Sequence, residues 1–295
     1  MHSYLRAIGF GNLKNESEVN ELLKKVFHDY TEKNCVKLDK NSAFIEYSKE
    51  FGNDMGITLC GELDGDGFHQ EYYFPYLRGN GITTRENLVI EKQGSRESYA
   101  GVCEDSRVGV SLIFYLQNAA RYKKEHFVQE LLQQNPGTTF SGLSIQGKVL
   151  LPICKSEEQE INDREASVKK KQMIAKARMG DEEAIEKLTL EDIDMYSMVS
   201  QRLLQEDVFS IVDTFFMPYG MECDQYQILG IIKQVNKVKN PYTGEAIYQM
   251  DLECNEMDFN VCINQKDLLG EPEAGRRFKG VIWLQGYINF MENEF

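Results

Sequence analysis

Between residues 15 and 33 the apolar positions recur at helical spacing. Val19, Leu22, Leu23, Val26, Phe27 and Tyr30 form one broad stripe. Asn15 stands where an N-cap belongs, and Glu18, three residues on, completes a capping box. Together they predict a helix over Glu16–Lys33, with a short strand, Tyr4–Gly9, ahead of it. From Ser42 to Leu116 the texture changes to β-rich runs broken by glycines. The expected strands are Ala43–Ser48, Gly56–Gly61, Phe68–Phe74, Leu88–Glu91, Ser98–Cys103 and Val108–Leu116. Leu63–Gly67 (LDGDG) reads as a hairpin turn and Arg78–Gly81 (RGNG) as a loop, since Asp, Asn and Gly accept positive φ. A second helix is expected over Asn118–Gln133, with Tyr122, Phe127, Val128, Leu131 and Leu132 inward. Asn135-Pro136-Gly137 stops it, and a strand, Gly142–Ile153, follows.

Strict alternation is clearest near the C-terminus. Tyr248, Met250, Leu252 and Cys254 alternate with Gln249, Asp251 and Glu253; Met257, Phe259, Val261 and Ile263 alternate with Asp258, Asn260 and Cys262. Only Asn255-Glu256 separates the two runs, which predicts a hairpin with a two-residue loop. Ile228–Val238 precedes them through the turn Asn240–Gly244, and Phe278–Phe290 follows, with Trp283 among apolar neighbours. Gly280 and Gly286 inside that last run suggest bulges or sharp bends. Ser210–Phe216 is a candidate fifth strand.

Residues 155–207 carry nine Lys/Arg against 14 Asp/Glu and few apolar positions before Ile185. They read as a charged helical connector, with Asp181 capping one short helix and Thr189 the next, Asp192 at its N3 position. The expected class is therefore α+β. A mixed N-terminal domain (1–154) and this connector (155–207) precede a small C-terminal β-barrel or meander (208–295), OB-like in size and strand count.

At 295 residues the chain is long enough for two domains, and 42% hydrophobic with 27% charged residues is a globular balance. The formal charge of −14 disfavours generic nucleic-acid binding. No apolar run approaches the roughly 20 residues of a membrane span, and the N-terminus lacks signal-peptide features. The expectation is a cytoplasmic protein without membrane contact. Seven scattered cysteines without a C-x-x-C pair read as reduced and structural.

The segments MHSYLRAIGF, GVCEDSRVGVSLIFYLQN, DTFFMPYGMECDQYQILG, NPYTGE and DLLGEPEAGRRFKGVIWLQGYINF resemble a bacterial family of unknown function found mainly in anaerobic Gram-positive bacteria. The resemblance spans essentially the whole chain. It implies a bacterial, cytoplasmic setting and transfers no activity, cofactor or site.

Asp64, Asp66, His69 and Glu71 form the most enzyme-like cluster. Carboxylates two apart beside glycine and a histidine could hold a divalent metal. An EF-hand is ruled out, because the third ligand position is Phe68 and the bidentate-Glu position is Pro75. An acidic hairpin turn is the simpler reading. Arg276, Arg277, Phe278 and Lys279 in GRRFKG are the densest basic-aromatic group of the C-terminal region and could meet phosphate and stack a base. Residues 221–295 nevertheless hold seven Lys/Arg against 12 Asp/Glu, which favours local ion pairs.

Ser144 sits in GLSIQG, one residue out of register with a nucleophile elbow, and reads as a strand serine. Cys103 is flanked by Glu104 and Asp105, which oppose thiolate formation. Lys169–Lys171 read as a solvated helix face, and the aromatic run Tyr72–Tyr76 as core. The leading expectation is a non-catalytic cytoplasmic binding or interaction protein with a protein partner or self-association, a homodimer being the simplest form, and no cofactor. The alternatives are a metal-dependent enzyme using Asp64, Asp66, His69 and Glu71, and an OB-like binder of single-stranded nucleic acid.

Overall fold

A computed structural model describes residues 2–126, 136–153, parts of 162–190 and 208–290. Helix α1 spans Glu16–His28. Asn15 Oδ1 accepts the Glu18 N–H at 2.9 Å while the Glu18 carboxylate accepts the Lys14 N–H at 2.8 Å. Val19, Leu22, Leu23 and Val26 are buried against the strands beneath. The helix stops well before Lys33, because the Thr31 N–H donates to the Ser48 carbonyl at 2.8 Å and begins an edge strand. The segment Tyr4–Gly9 is not a strand: Ser3–Ile8 forms a 3-10 helix with Tyr4, Leu5, Ala7 and Ile8 all buried.

Strands β1 (Glu32–Lys37), β2 (Ala43–Glu50), β3 (Met55–Asp64) and β4 (Gly67–Leu77) make an antiparallel meander in that order. The LDGDG turn joins β3 to β4 as expected. Strands β5 (Leu88–Lys92), β6 (Tyr99–Glu104) and β7 (Ser111–Leu116) form a second meander. Helix α2 covers Ala119–His126; residues 127–135 of the expected longer helix lie outside the described residues.

The remaining strands build a closed barrel. They are β8 (Thr138–Leu150), β10 (Gln225–Lys239), β11 (Ala246–Cys254), β12 (Met257–Asn264) and β14 (Arg277–Ile288). Strand β10 pairs β11, β11 pairs β12 and β14 pairs β10, all antiparallel. Strand β8 closes the ring, parallel to β12 on one edge and antiparallel to β14 on the other. Short β9 (Phe215–Pro218) lies along β10, where a longer Ser210–Phe216 strand was expected, and β13 (Leu268–Leu269) along β8. Strand β7 joins the far end of β14 through Gln285 and Gly286.

The β11–β12 loop is the predicted two-residue turn, with Asn255 and Glu256 at φ 50° and 61°. Gly280 and Gly286 do a different job from bending. A Cβ at Gly280 or Gly147 would meet the Phe278 ring at 2.5 Å, and one at Gly286 or Gly101 the Phe114 ring at 2.3 Å or 2.1 Å. The register shift in this ladder comes from the partner strand, where Ile145 of β8 is the extra residue opposite Val281 and Ile282.

Residues 1–150 and 214–295 make one compact unit, and 151–213 a second. The expected breaks near 154 and 207 lie close to these limits. The two flanking segments are nevertheless not separate domains, since β8 of the first completes the barrel of the second. In the second unit residues 182–190 are helical, with Asp181 Oδ1 accepting the Ala184 N–H at 3.1 Å. Thr189 lies inside that helix rather than capping a new one, and residues 191–207 lie outside the described residues.

Because β8 occupies an edge of both β12 and β14, residues 208–295 expressed alone should not fold. Circular dichroism and thermal melting should show no cooperative transition, and adding residues 1–150 should restore one. A monomeric fragment 208–295 that melts cooperatively would show that the barrel closes without β8.

Candidate functional site

A bulge in β10 between Ile232 and Gln234 adds Lys233 as an extra residue, so that Lys233 and Gln234 are both exposed. The antiparallel register then sets Gln234 opposite Asp251 and Asp251 opposite Asn260. Alternation along β11 buries Met250, Leu252 and Cys254 and turns Asp251 and Glu253 outward. Three neighbouring strands thus present a row of polar side chains on the outer barrel wall.

The RGNG loop supplies the far bank. The Asn80 N–H donates to Asn260 Oδ1 at 2.8 Å, and Asn260 Nδ2 in turn donates to Asp251 Oδ1. A Cβ at Gly79 would come within 2.8 Å of the Phe140 carbonyl oxygen, so glycine is what lets the loop lie this close. Thr83 Oγ1 donates to the Asp258 carbonyl at 2.9 Å and holds the next part of the chain to β12. Between loop and strands lies an open groove of about 290 Å³, lined by Asn80, Lys233, Gln234, Asp251, Asp258 and Asn260 together with Leu252 and Phe259.

Lys233 Nζ reaches both Asp258 oxygens, at 2.9 and 3.0 Å, and Glu253 at 3.7 Å. The hydrogen bond to Asp258 holds the ammonium above its ordinary pKa. With that pair neutralised, Asp251 leaves the groove net negative. None of these residues stands out in the sequence except as the polar half of an alternating strand. The signal that could have found them is the coincidence of a glycine-flanked loop with an outward Asp–Asn pair.

The acidic cluster converges only in part. His69 Nε2 lies 3.1 Å from Asp64 Oδ1, and Asp64 Oδ1 also accepts the Asp66 backbone N–H at 2.9 Å. That N–H is the main reason the Asp64 carboxylate sits low. A register shift at Cys60/Gly61 leaves Glu71 without a partner across the ladder, which breaks the shared face expected for His69 and Glu71. Glu71 Oε2 is buried without a hydrogen bond. Among the described residues no three His, Cys, Asp or Glu side chains are placed to hold a metal.

From Arg277 onward GRRFKG is strand, one residue earlier than the expected Phe278. Phe278 is fully buried and Arg277 is buried, so neither a ring for stacking nor a free guanidinium is offered there. Arg276 pairs with Glu273 at 2.9 Å and donates to the Glu271 carbonyl at 2.8 Å, the local pairing that the acidic neighbours predict. Lys279 is half-buried on β14.

Ser144 is buried, donating to the Val281 carbonyl at 2.8 Å. Cys103 is buried too, its thiol pushed up to about 11 by burial and by Asp105. Six cysteines are free; Cys154 lies outside the described residues, as do Lys170 and Lys171. Of the aromatic run, Phe74 and Tyr76 are core, and Phe74 continues through Tyr115 and Trp283 to Tyr4 in contacts of 4.8, 5.1 and 5.4 Å.

Sequence reasoning also missed Glu46, which is 2% exposed on β2. Its carboxylate accepts the Ala120 N–H at 3.1 Å in the first turn of α2. Asn118 cannot cap that turn, because its side chain is spent on both backbone groups of Ile288. Burial, opposed by the helix N–H groups, raises the Glu46 pKa to about 8. This is a structural cap, closed to solvent.

The fold and the groove define a mostly β protein with a five-stranded barrel and an open polar cleft on its wall. The chain belongs to the family described as "Domain of unknown function, E. rectale Gene description (DUF3881)", whose model matches residues 5–286. No curated protein and no solved structure matches the chain. Among the described residues no helix is long and apolar enough to cross a membrane.

Since the folded-state pKa of Glu46 lies above its unfolded value, its proton stabilises the fold at low pH. That contribution declines as pH rises from about 4.5 to about 8. Glu46→Gln keeps an acceptor for Ala120 and has no charge to bury. Relative to the wild type, it should gain on the order of 3 kcal/mol between pH 5 and pH 8. Chemical denaturation at the two pH values measures this, and parallel profiles would contradict it.

Proposed function

We propose that the protein is a non-catalytic cytoplasmic binding protein that holds a small polar ligand in the groove across β10, β11 and β12. The observation that carries this reading is the convergence of Asn80, Gln234, Asp251 and Asn260 on one cleft. They come from a loop and three strands brought together from both halves of the chain. Preorganised polar groups on rigid strands are what a binding site needs to hold a ligand without large ordering cost.

The barrel is OB-like in this reading. Five strands and a groove on the outer wall suit the way such barrels present ligands. The usual nucleic-acid ligand is disfavoured here by the acidic residues along the cleft. The cytoplasmic setting rests on the resemblance to a bacterial family and on the reduced-thiol character of the cysteines.

A low-molecular-mass metabolite extract of bacterial cytoplasm, added to the ¹⁵N-labelled full chain, tests both halves of the proposal. Amide shifts should be confined to Asn80, Gln234, Asp251 and Asn260, and the proton spectrum of the extract should stay constant with time. No shift at these residues would remove the binding reading. Steady conversion of an extract component would replace it with an enzyme.

A further inference from the structure

We propose that the groove takes a neutral, hydroxyl-rich ligand, a saccharide, through Asp251, Gln234 and Asn80. This rests on the groove being the binding surface, and it follows from which hydrogen-bonding groups are already committed. Asn260 has its Oδ1 taken by the Asn80 N–H and its Nδ2 turned to Asp251 Oδ1. Asp251 is thereby fixed in one orientation with Oδ2 left as an acceptor. Gln234 stands opposite it on β10, with an amide that both donates and accepts. The Asn80 side chain offers a second such amide from the loop.

Charge narrows the ligand further. An anion would meet Asp251, Glu253 and Asp258, with Lys233 already shared between the latter two. A cation would have to displace Lys233 or sit beside it. A hydroxyl group donates one hydrogen bond and accepts two, so a pair of neighbouring hydroxyls can donate to Asp251 Oδ2 and accept from an amide. Nothing charged is then desolvated without compensation.

Defined probes test this on the ¹⁵N-labelled full chain, with the side-chain amide signals of Asn80, Gln234 and Asn260 as the readout. Maltotriose, cellotriose and chitotriose serve as neutral saccharides, with spermidine and an oligothymidylate as charged probes. At least one trisaccharide should shift all three amides saturably, with an affinity insensitive to salt. Asp251→Asn keeps the acceptor for Asn260 and removes the charge; it should weaken binding roughly tenfold or more. Gln234→Ala should weaken it as well, and His69→Ala, remote from the groove, should change nothing. The backbone amide spectrum of each variant confirms that it folds.

Shifts with spermidine or the oligothymidylate and none with a trisaccharide would overturn the ligand class and leave the groove as a binding site. Silence from all five probes would also overturn the saccharide assignment, and the metabolite-extract experiment then decides whether the groove binds anything. Trisaccharide shifts that survive both Asp251→Asn and Gln234→Ala would place the sugar elsewhere and overturn the proposal.

Discussion

The antiparallel ladder between β8 and β14 is the connection on which the rest of the structure depends. It pairs Thr138–Leu150 with Arg277–Ile288 over the length of both strands. Every other layer attaches to one of these two. β12 takes the second edge of β8; β10 and β7 divide the second edge of β14. The first meander meets them through buried amides. Gln285 Nε2 donates to the Pro75 carbonyl at 2.8 Å, and Gln117 Nε2 donates to Gln285 Oε1 at 2.9 Å and to the Leu77 carbonyl at 2.9 Å. Such groups are expensive to bury unpaired, so their full pairing fixes where the meander sits. The same seam carries Phe278 over Gly147 and Gly280, and Phe114 over Gly101 and Gly286.

Local patterns were legible wherever one face is wet and the other dry. Helix α1 has its cap and stripe in plain sight, and β11 and β12 show unbroken alternation around a two-residue turn. Where a segment is buried all round, periodicity vanishes: Ser3–Ile8 hides its 3-10 geometry because Tyr4, Leu5, Ala7 and Ile8 are all inside. Where a strand is an exposed edge the opposite failure occurs. Glu32–Lys37 is polar and carries little pattern, and its first two residues read as the end of the preceding helix. The barrel's closure by β8 could not be read either, because partner choice between distant strands leaves no local trace.

The candidate sites failed or emerged for equally specific reasons. His69 and Glu71 share a face only if β4 is regular, and one register shift removes that face. The basic-aromatic cluster GRRFKG needs Phe278 and Arg277 at the surface, whereas hydrogen bonding to β10 and β8 places both in a strand that turns Phe278 inward. The groove is the converse case. Its residues lie far apart in sequence, and only the bulge at Lys233, the β10–β11–β12 register and the close seat of Gly79 bring them to one cleft.

Placing the closing strand ahead of the long charged segment also sets an order of events during synthesis. Residues 138–150 leave the ribosome well before residues 277–288 exist. At about 5–20 residues per second the wait is on the order of ten seconds. Until then β8 shows two unpaired edges and the apolar side chains of Phe140 and Leu143, a template for mispairing. Contacts this distant in sequence also carry a large loop-closure entropy, which slows the final step. The acidic stretch between them keeps the waiting chain charged. The interval between the two strands is thus built into the order of the sequence, and the barrel closes only after the whole charged segment has been made.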